Sequence, residues 1–394
     1  MSDWLTVESG LAFGLLLIQL PATAVLLSRL VKGASRHAPI QPSTGTPDLL
    51  ASVSVVVPTL NEAERISPCL AGLSQQSYEV REIIVVDSYS EDGTPELVKA
   101  ATQKDPRFRL INDDALPPGW VGRPWALHNG FKHSSEQSKW ILGMDADTQP
   151  LAGLITGLVS TANAEGYDLV SLSPQFILKY PGECWLQPAL LMTLLYRFES
   201  AGVDTEIAER VMANGQCFLC RRSVLAEVGG YTSARSSFCD DVTLARNIAA
   251  KGFKVGFLDG SKVLKVRMYE GALETWKEWG RSLDLKDASS MAQVWGDLWL
   301  LLSVQALPLF VVLYFCFIQH SLTLLPLLLL GLNCFLLVIR WALLLAVSSA
   351  YDFSTAKGGW LFWLSPLADP LAVLRIFLSA NRTPTQWRGR SYTD

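Results

Sequence analysis

Glu82-Ile83-Ile84-Val85-Val86-Asp87 is the stretch that decides the fold, because four β-branched residues in a row lead directly into a carboxylate. A continuous apolar run of this length is typical of a parallel strand buried on both faces. A second such run, Val53-Ser54-Val55-Val56-Val57, precedes it and ends at Pro58. Helical spacing follows each run, over residues 63–73 and again over residues 95–102. This alternation of strand and helix predicts a mostly parallel α/β sheet covered on both faces.

Carboxylates stand where these predicted strands end. Asp87 closes one strand, and a third apolar run, Trp140-Ile141-Leu142-Gly143-Met144, passes directly into Asp145-Ala146-Asp147. Ligands of such sheets bind at the carboxyl ends of the strands. Two carboxylates one residue apart are costly to bury unless something compensates their charge. We therefore favour a Mg²⁺ or Mn²⁺ site at this Asp-x-Asp pair over the alternative, a solvent-exposed turn.

The composition separates a soluble part from apolar ends. Of the 394 residues, 49% are hydrophobic and 18% are charged, which is more apolar than a typical soluble domain. The apolar excess lies near the N-terminus and after residue 296, whereas residues 51–285 have an ordinary soluble composition. A net charge of −4 without a basic block argues against nucleic acid as a partner. The close cysteine pair Cys217 and Cys220 is predicted to be two buried thiols.

The N-terminal apolar run spans residues 11–31, long enough for a membrane-spanning helix. Acidic residues precede the run, Arg29 lies near its end, and Lys32 and Arg36 follow it, which is the reverse of a cleaved signal peptide. The positive-inside rule then places the N-terminus outside and the following domain in the cytoplasm. The sequence predicts a multi-pass membrane protein with a cytoplasmic catalytic domain.

Apolar runs at residues 298–318 and 322–346 predict two further spans, and Arg340 is expected to snorkel toward an interface. Residues 360–380 contain two prolines, an aspartate and an arginine, so an interfacial or re-entrant element is favoured there. The predicted organisation is a transmembrane anchor (1–33), a linker (34–50), a catalytic domain (51–285) and a C-terminal membrane region (286–394).

Several motifs occur in an order that resembles family 2 glycosyltransferases of the GT-A fold, over about residues 51–285. They are Val55–Glu62, Val85–Thr94, Gly122–Leu127, Asp145–Asp147 and Asn214–Tyr231. Two further stretches, Leu116–Trp120 and the tail Trp387–Arg390, are more similar to the membrane-bound branch that acts on isoprenoid lipids. That branch includes carotenoid (myxol-type) 2'-O-glycosyltransferases and hopanoid-associated glycosyltransferases. The fold that the resemblance implies is a Rossmann-like GT-A sheet domain.

The resemblance implies a nucleotide-sugar donor and assigns residues to it. Pro58, Glu62 and Asp87 would line the nucleotide pocket, with Asp87 accepting hydrogen bonds from the base ring. Arg123 stands where the family usually has Lys, and it would neutralise phosphate as a planar fork rather than a point charge.

The same resemblance assigns the reacting groups. Asp145 and Asp147 would hold the metal on the diphosphate, with Asp147 the more direct ligand. Asp240 and Asp241 occupy the place of the catalytic base, and Asp241 is the favoured base. A neighbouring carboxylate raises the pKa of a base toward neutrality, as this pair allows. The alternative is that one of the pair caps the helix predicted to begin at Val242.

One departure from the family pattern lies near residue 280. Lipid-directed and processive members carry Gln-x-x-Arg-Trp, whereas this chain has Trp276-Lys277-Glu278-Trp279-Gly280-Arg281-Ser282. Arg281 is the candidate for the motif's Arg, but the Gln and the final Trp are absent, which disfavours a polysaccharide synthase. Trp279 and Arg281 are candidates for acceptor or diphosphate contacts, although an interfacial helix would use the same residues.

The sequence therefore predicts an inverting, metal-dependent transfer of a sugar from a nucleotide donor to a hydroxyl of a hydrophobic isoprenoid lipid. A carotenoid such as myxol is the favoured acceptor, with a hopanoid next. One alternative is a polyprenyl-phosphate or glycolipid glycosyltransferase. An alternative from another class is a non-catalytic scaffold that binds sugar nucleotides.

Overall fold

The computed structural model describes residues 2–279, 283, 285–318, 323–381, 386–387 and 390–391. The chain forms two compact units, each assembled from separate stretches. The helical unit comprises Met1–Ala34, Leu178–Ser200 and Tyr269–Thr383, and the sheet unit comprises Ser35–Ile177, Ala201–Met268 and Pro384–Asp394. The four consecutive segments expected from the sequence remain a prediction. In the structure, the helical unit also includes Leu178–Ser200 from the middle of the chain.

The sheet unit is built on seven strands in the order β3-β2-β1-β4-β8-β6-β9. Only β8 runs antiparallel to its neighbours β4 and β6, so the predicted mostly parallel sheet is confirmed. Three short strands form a second ladder in the order β7-β10-β5. The strands are β1 (Val53–Thr59), β2 (Val80–Asp87), β3 (Phe108–Asn112), β4 (Trp140–Met144), β5 (Thr148–Pro150), β6 (Leu169–Ser173), β7 (Gln175–Ile177), β8 (Cys217–Arg221), β9 (Val255–Asp259) and β10 (Leu264–Val266).

Two hydrophobic cores cover the two faces of the large sheet. Val55 and Val57 point into one core, and Val56, between them, points into the other. This explains why the central strands are continuously apolar rather than alternating. The helices of this unit are Ile66–Ser74, Thr94–Lys104, Gly122–His133, Leu154–Glu165, Arg222–Glu227 and Asp240–Ala250.

Strand β1 continues two residues beyond its predicted end. Pro58 pairs with Val86 of β2, while the pairing of β1 with β4 stops at Val56. Pro58 therefore lies where β1 has a partner on one side only, which is where a sheet tolerates a residue without an amide hydrogen.

At the amino end of the sheet, one buried carboxylate ties several elements together. Glu82 accepts hydrogen bonds from the hydroxyl of Ser54 (2.8 Å), the backbone amide of Ser135 (2.6 Å) and the guanidinium of Arg109 (2.5 Å). Burial alone would raise the pKa of Glu82, but these donors outweigh it and hold the pKa below its usual value. The carboxylate is therefore a structural anion.

Among the described residues, four helices are long and apolar enough to cross a membrane: Val7–Ser35, Met291–Phe317, Leu324–Ala350 and Gly359–Ala380. This agrees with the predicted membrane association. The helices of the helical unit are Ser2–Lys32, Pro181–Arg197, Gly271–Glu274, Met291–Leu301, Leu307–Phe317, Leu324–Val347 and Asp369–Ala380, with π-helical turns at Thr275–Trp279 and Leu302–Ala306 and a 3₁₀ segment at Gly359–Ala368.

Arg340 does not snorkel, which corrects the expectation from the sequence. Its side chain is 2% exposed, and it donates to both carboxylate oxygens of Asp369 at 2.7 and 3.0 Å. Gln305 donates to the same carboxylate at 3.1 Å. Asp369 compensates the charge of Arg340 within the helical unit. The Arg340 side chain therefore does not need to extend to the membrane interface.

A pair of amides fastens the N-terminal helix to the helix Leu324–Val347. Gln19 donates to the side-chain oxygen of Asn333 at 2.9 Å, and Asn333 donates back to Gln19 at the same distance. Both residues are fully buried. Gln19, a polar residue within the first apolar run, thus forms a hydrogen-bonded contact between two helices.

Candidate active site

The predicted carboxylates lie at one edge of the large sheet. Asp87 ends β2, directly opposite Thr59 of β1. On the other side of β1, Val56 pairs with Gly143, which brings Asp145 level with the end of β1. Asp87 and Asp145 are therefore two strand positions apart, or about 10 Å at the usual spacing between strands.

Arg123 connects the Asp-x-Asp turn to the acid pair. It lies in the first turn of the helix Gly122–His133, and its side chain is 11% exposed. Its guanidinium donates to Asp145 at 2.9 Å, to Asp240 at 2.5 Å and to the backbone carbonyl of Gly215 at 2.8 Å. These contacts bring two predicted groups, far apart in sequence, into one site.

The acid pair occupies the first turn of a helix that begins at Asp240, and the residue at its N-cap is Cys239. The alternative that Asp240 or Asp241 is the cap is therefore wrong. Asp241 accepts hydrogen bonds from the backbone amides of Gly215 (2.6 Å) and Val242 (2.8 Å). Asp241 is partly exposed, whereas Asp240 is buried, so Asp241 is the more accessible carboxylate.

Both carboxyl groups of this pair have raised pKa values. Burial raises the pKa of Asp240 to about 7, with the neighbouring Asp241 adding to the effect and Arg123 opposing it. Burial also raises the pKa of Asp241, again against Arg123. A carboxyl group that gains its proton near neutrality is suited to general base chemistry.

The turn after β4 carries a second pair of carboxylates. Burial, and then the negative charge of Asp145, raise the pKa of Asp147 to about 7. Within the described residues, no three His, Cys, Asp or Glu side chains group closely enough to form a metal site alone. Mg²⁺ usually takes one or two carboxylates and draws its remaining ligands from substrate phosphates and water. Asp145 and Asp147 fit that pattern.

The loops beside this turn hold the predicted nucleotide-binding residues. Asp87 is 1% exposed and accepts hydrogen bonds from the hydroxyls of Thr59 (3.1 Å) and Ser90 (2.6 Å) and from the amide of Ser90 (2.9 Å). Its side chain thus shapes the loop after β2. Glu62 is buried and Pro58 half-buried in the neighbouring chain segment. Their contact with a nucleotide stays a prediction.

Trp279 belongs to the helical unit, where it is buried and its ring lies 6.2 Å from that of Tyr269. Arg281 lies outside the described residues. The roles expected of these two residues therefore remain predictions.

The sequence did not identify Gly215 as a member of the site. A Cβ atom at this position would lie 2.3 Å from a guanidinium nitrogen of Arg123. Gly215 also contributes its carbonyl to Arg123 and its amide to Asp241. The available signal was a glycine two residues before β8, within the motif Asn214–Tyr231.

The cation-paired carboxylates lie at the carboxyl edge of a Rossmann-like sheet, which is where ligands of such sheets bind. Residues 54–229 match the family model for glycosyl transferase family 2. Over this stretch, which is just under half of the chain, the sequence matches a glycosyltransferase family 2 domain. The mannosyltransferase PcManGT from Pyrobaculum calidifontis, solved with GDP-Man and Mn²⁺, has the same fold, with a TM-score of 0.52 over 95% of this chain and 98% of that one, at 17% identity.

The chain is also similar in sequence to glycosyltransferases from other organisms. It is 24% identical over 244 residues to the 4,4'-diaponeurosporenoate glycosyltransferase of Staphylococcus haemolyticus, covering 62% of this chain and 64% of that protein. It is 27% identical over 187 residues to glycosyltransferase AglE of Haloferax volcanii, covering 46% and 56%. The matches thus span less than two thirds of the length of these relatives.

Proposed function

We propose that the protein transfers a sugar from a nucleotide donor to a hydroxyl of an isoprenoid lipid, with inversion at the anomeric carbon. A carotenoid is the favoured acceptor, and a hopanoid is next. The observation that carries the proposal is the pairing of Arg123 with both Asp145 and Asp240. This pairing holds the Asp145 turn, which is suited to the leaving diphosphate, beside the acid pair that contains the proposed base Asp241.

The donor side of the site has to stabilise a departing diphosphate. Asp145 and Asp147 would hold Mg²⁺ or Mn²⁺, which would neutralise negative charge on the leaving group. Arg123, fixed by its three partners, adds a second positive charge that needs no reorganisation during the reaction. The Mn²⁺ present with the mannosyltransferase of the same fold agrees with this assignment.

The acceptor side needs a base. Asp241 would take the proton from the lipid hydroxyl, whose oxygen then bonds to the anomeric carbon on the face opposite the departing diphosphate. The raised pKa of Asp241 makes it a better proton acceptor than an ordinary aspartate. Asp240, bound to Arg123 and buried, would position the cation rather than touch the acceptor.

The membrane arrangement proposed here is multi-pass, with the catalytic domain in the cytoplasm. The basic residues Arg29 and Lys32 lie in the last turn of the helix Ser2–Lys32, which favours a cytoplasmic position for that end. Protease protection in sealed, right-side-out vesicles tests this orientation. Cleavage of the sheet unit by protease added outside such vesicles would contradict it.

The decisive experiment measures transfer in membranes with Asp241→Asn and Asp147→Ala. Each variant should insert normally and lose at least about a hundredfold in transfer rate to a lipid alcohol. Asp48→Asn, at an exposed position before the sheet, is the matched control and should remain active. Undiminished transfer by Asp147→Ala would overturn the metal assignment.

A second candidate acceptor is a lipid carboxylate, because the Staphylococcus haemolyticus relative is named for a carotenoid acid. A carboxylate is already an anion and needs no base. Asp241→Asn should therefore spare transfer to a carboxylate while abolishing transfer to an alcohol. Equal loss with both acceptors would show that Asp241 has a role other than deprotonation.

A further inference from the structure

Three aromatic rings pack against one another close in sequence to Arg123 of the candidate active site. The ring of Trp120 lies 5.0 Å from that of Trp125 and 5.1 Å from that of His128, and the latter two stack at 5.9 Å. Trp125 and His128 are buried, while Trp120 is half-buried and keeps part of its surface open. Trp120 thus packs against two buried rings and remains partly exposed.

Hydrogen bonds hold this ring next to the reacting groups. Trp120 precedes Arg123 by three residues, and the amide of Val121 donates to the carbonyl of Arg235 at 2.7 Å. Arg235 lies in the segment that leads into Asp240. At its other end, the loop is closed by the Trp125 indole, which donates to the carbonyl of Asp114 at 2.8 Å. Trp120 is therefore anchored between the cation of the site and the chain segment that carries the base.

The loop itself is unusual in composition for an exposed connection. Residues 115–120 read Ala-Leu-Pro-Pro-Gly-Trp, with no charged or hydrogen-bonding side chain except the indole. Residues 115, 118 and 119 are exposed and the rest are half-buried. A rigid, proline-containing apolar loop beside a site for a hydrophobic acceptor provides contact area at little conformational cost.

We propose that Trp120 and its loop form the wall that receives the apolar chain of the acceptor, so that Trp120 determines acceptor preference. The inference rests on the proposed function. Because the contact is made with the hydrocarbon chain rather than with the reacting hydroxyl, its effect grows with chain length. Trp120 is not among the residues proposed to bind the nucleotide donor, so donor affinity should be unaffected.

The test compares short and long prenyl alcohols as acceptors for the wild type, Trp120→Ala, Trp120→Phe and Tyr78→Ala. Tyr78 is an exposed aromatic at the opposite edge of the sheet and serves as the matched control. Trp120→Ala should raise the KM for the long alcohol on the order of tenfold and leave the KM for the short alcohol and the donor within about twofold. Trp120→Phe should restore most of the chain-length preference.

The outcomes separate this inference from the function on which it rests. If the wild type transfers sugar to no lipid alcohol, the proposed function itself fails. If the wild type is active but Trp120→Ala keeps the full chain-length dependence, the acceptor wall is refuted. Parallel loss of donor affinity and thermal stability in both Trp120 variants would show a purely structural ring and would also refute it.

Discussion

Replacement of Arg123 by Met removes the cation on which the candidate site is assembled. The Arg123 and Asp240 side chains are 11% and 4% exposed, so solvent screens their pairing only weakly. Loss of one partner of a buried ion pair destabilises a protein by about 3–5 kcal/mol, since the remaining carboxyl must either stay charged without its partner or take up a proton. Arg123→Lys keeps the charge but cannot reach three acceptors at once, and about 2–3 kcal/mol should be lost.

A double-mutant cycle isolates the interaction from general damage. Asp240→Asn added to Arg123→Met removes the uncompensated charge, so the double variant should be more stable than Arg123→Met alone by about 2 kcal/mol. The assay is urea unfolding in detergent, with hydrogen exchange of the segment around Gly215 as the local probe. Gly215 bonds to both sides of the site, so its amide reports local opening.

Additivity of the two substitutions would show that Arg123 and Asp240 do not interact. A change in the unfolding free energy of less than about 1 kcal/mol for Arg123→Met would show that the site does not depend on this cation, although it has three partners and is nearly dry. A loss confined to nucleotide binding, with unchanged stability, would assign Arg123 to the ligand alone.

Three further outcomes follow from the same structure. Gly215→Ala should push the Arg123 guanidinium aside and weaken nucleotide affinity by about tenfold, measured by calorimetry; unaltered affinity would contradict the close approach. Glu82→Gln should cost about 1–3 kcal/mol at neutral pH, and the gap from wild type should close as pH falls through the lowered pKa of Glu82, below about 4.5; a gap independent of pH in acid unfolding would refute this. Arg340→Met should lower thermal stability in detergent more than the combined Arg340→Met and Asp369→Leu change, which replaces the pair with apolar groups; the reverse order would show that the pair itself stabilises the helices.

The elements of the sheet were predictable because their signals are local. Each central strand is a continuous apolar run that ends in a turn, and burial on both faces requires that composition. The positions of Asp87 and Asp145 follow once parallel strands are assumed, since the carboxyl ends of such strands share one edge. The order of the strands and the antiparallel direction of β8 depend on pairing between distant segments. No local sequence pattern indicates them, so they could not be predicted.

The contacts of the site were predictable only in part. Arg123 was expected to meet phosphate, but its pairing with Asp145 and Asp240 depends on three segments that converge only in the folded chain. Cys239 stands at the helix N-cap because Asp240 is turned toward Arg123 instead of toward its own backbone. Arg340 was misassigned for a similar reason, because its partner Asp369 comes from a separate helix.

The discontinuous make-up of the helical unit has a practical consequence. Leu178–Ser200 is inserted between two stretches of the sheet unit but packs with the N-terminal and C-terminal helices, and it buries an apolar face there. A fragment of residues 51–285, the predicted catalytic domain, would include this inserted helix but lack the N-terminal and C-terminal helices that cover its apolar face. Expression of a water-soluble catalytic fragment therefore requires redesign of this inserted helix, and simple truncation should give aggregates.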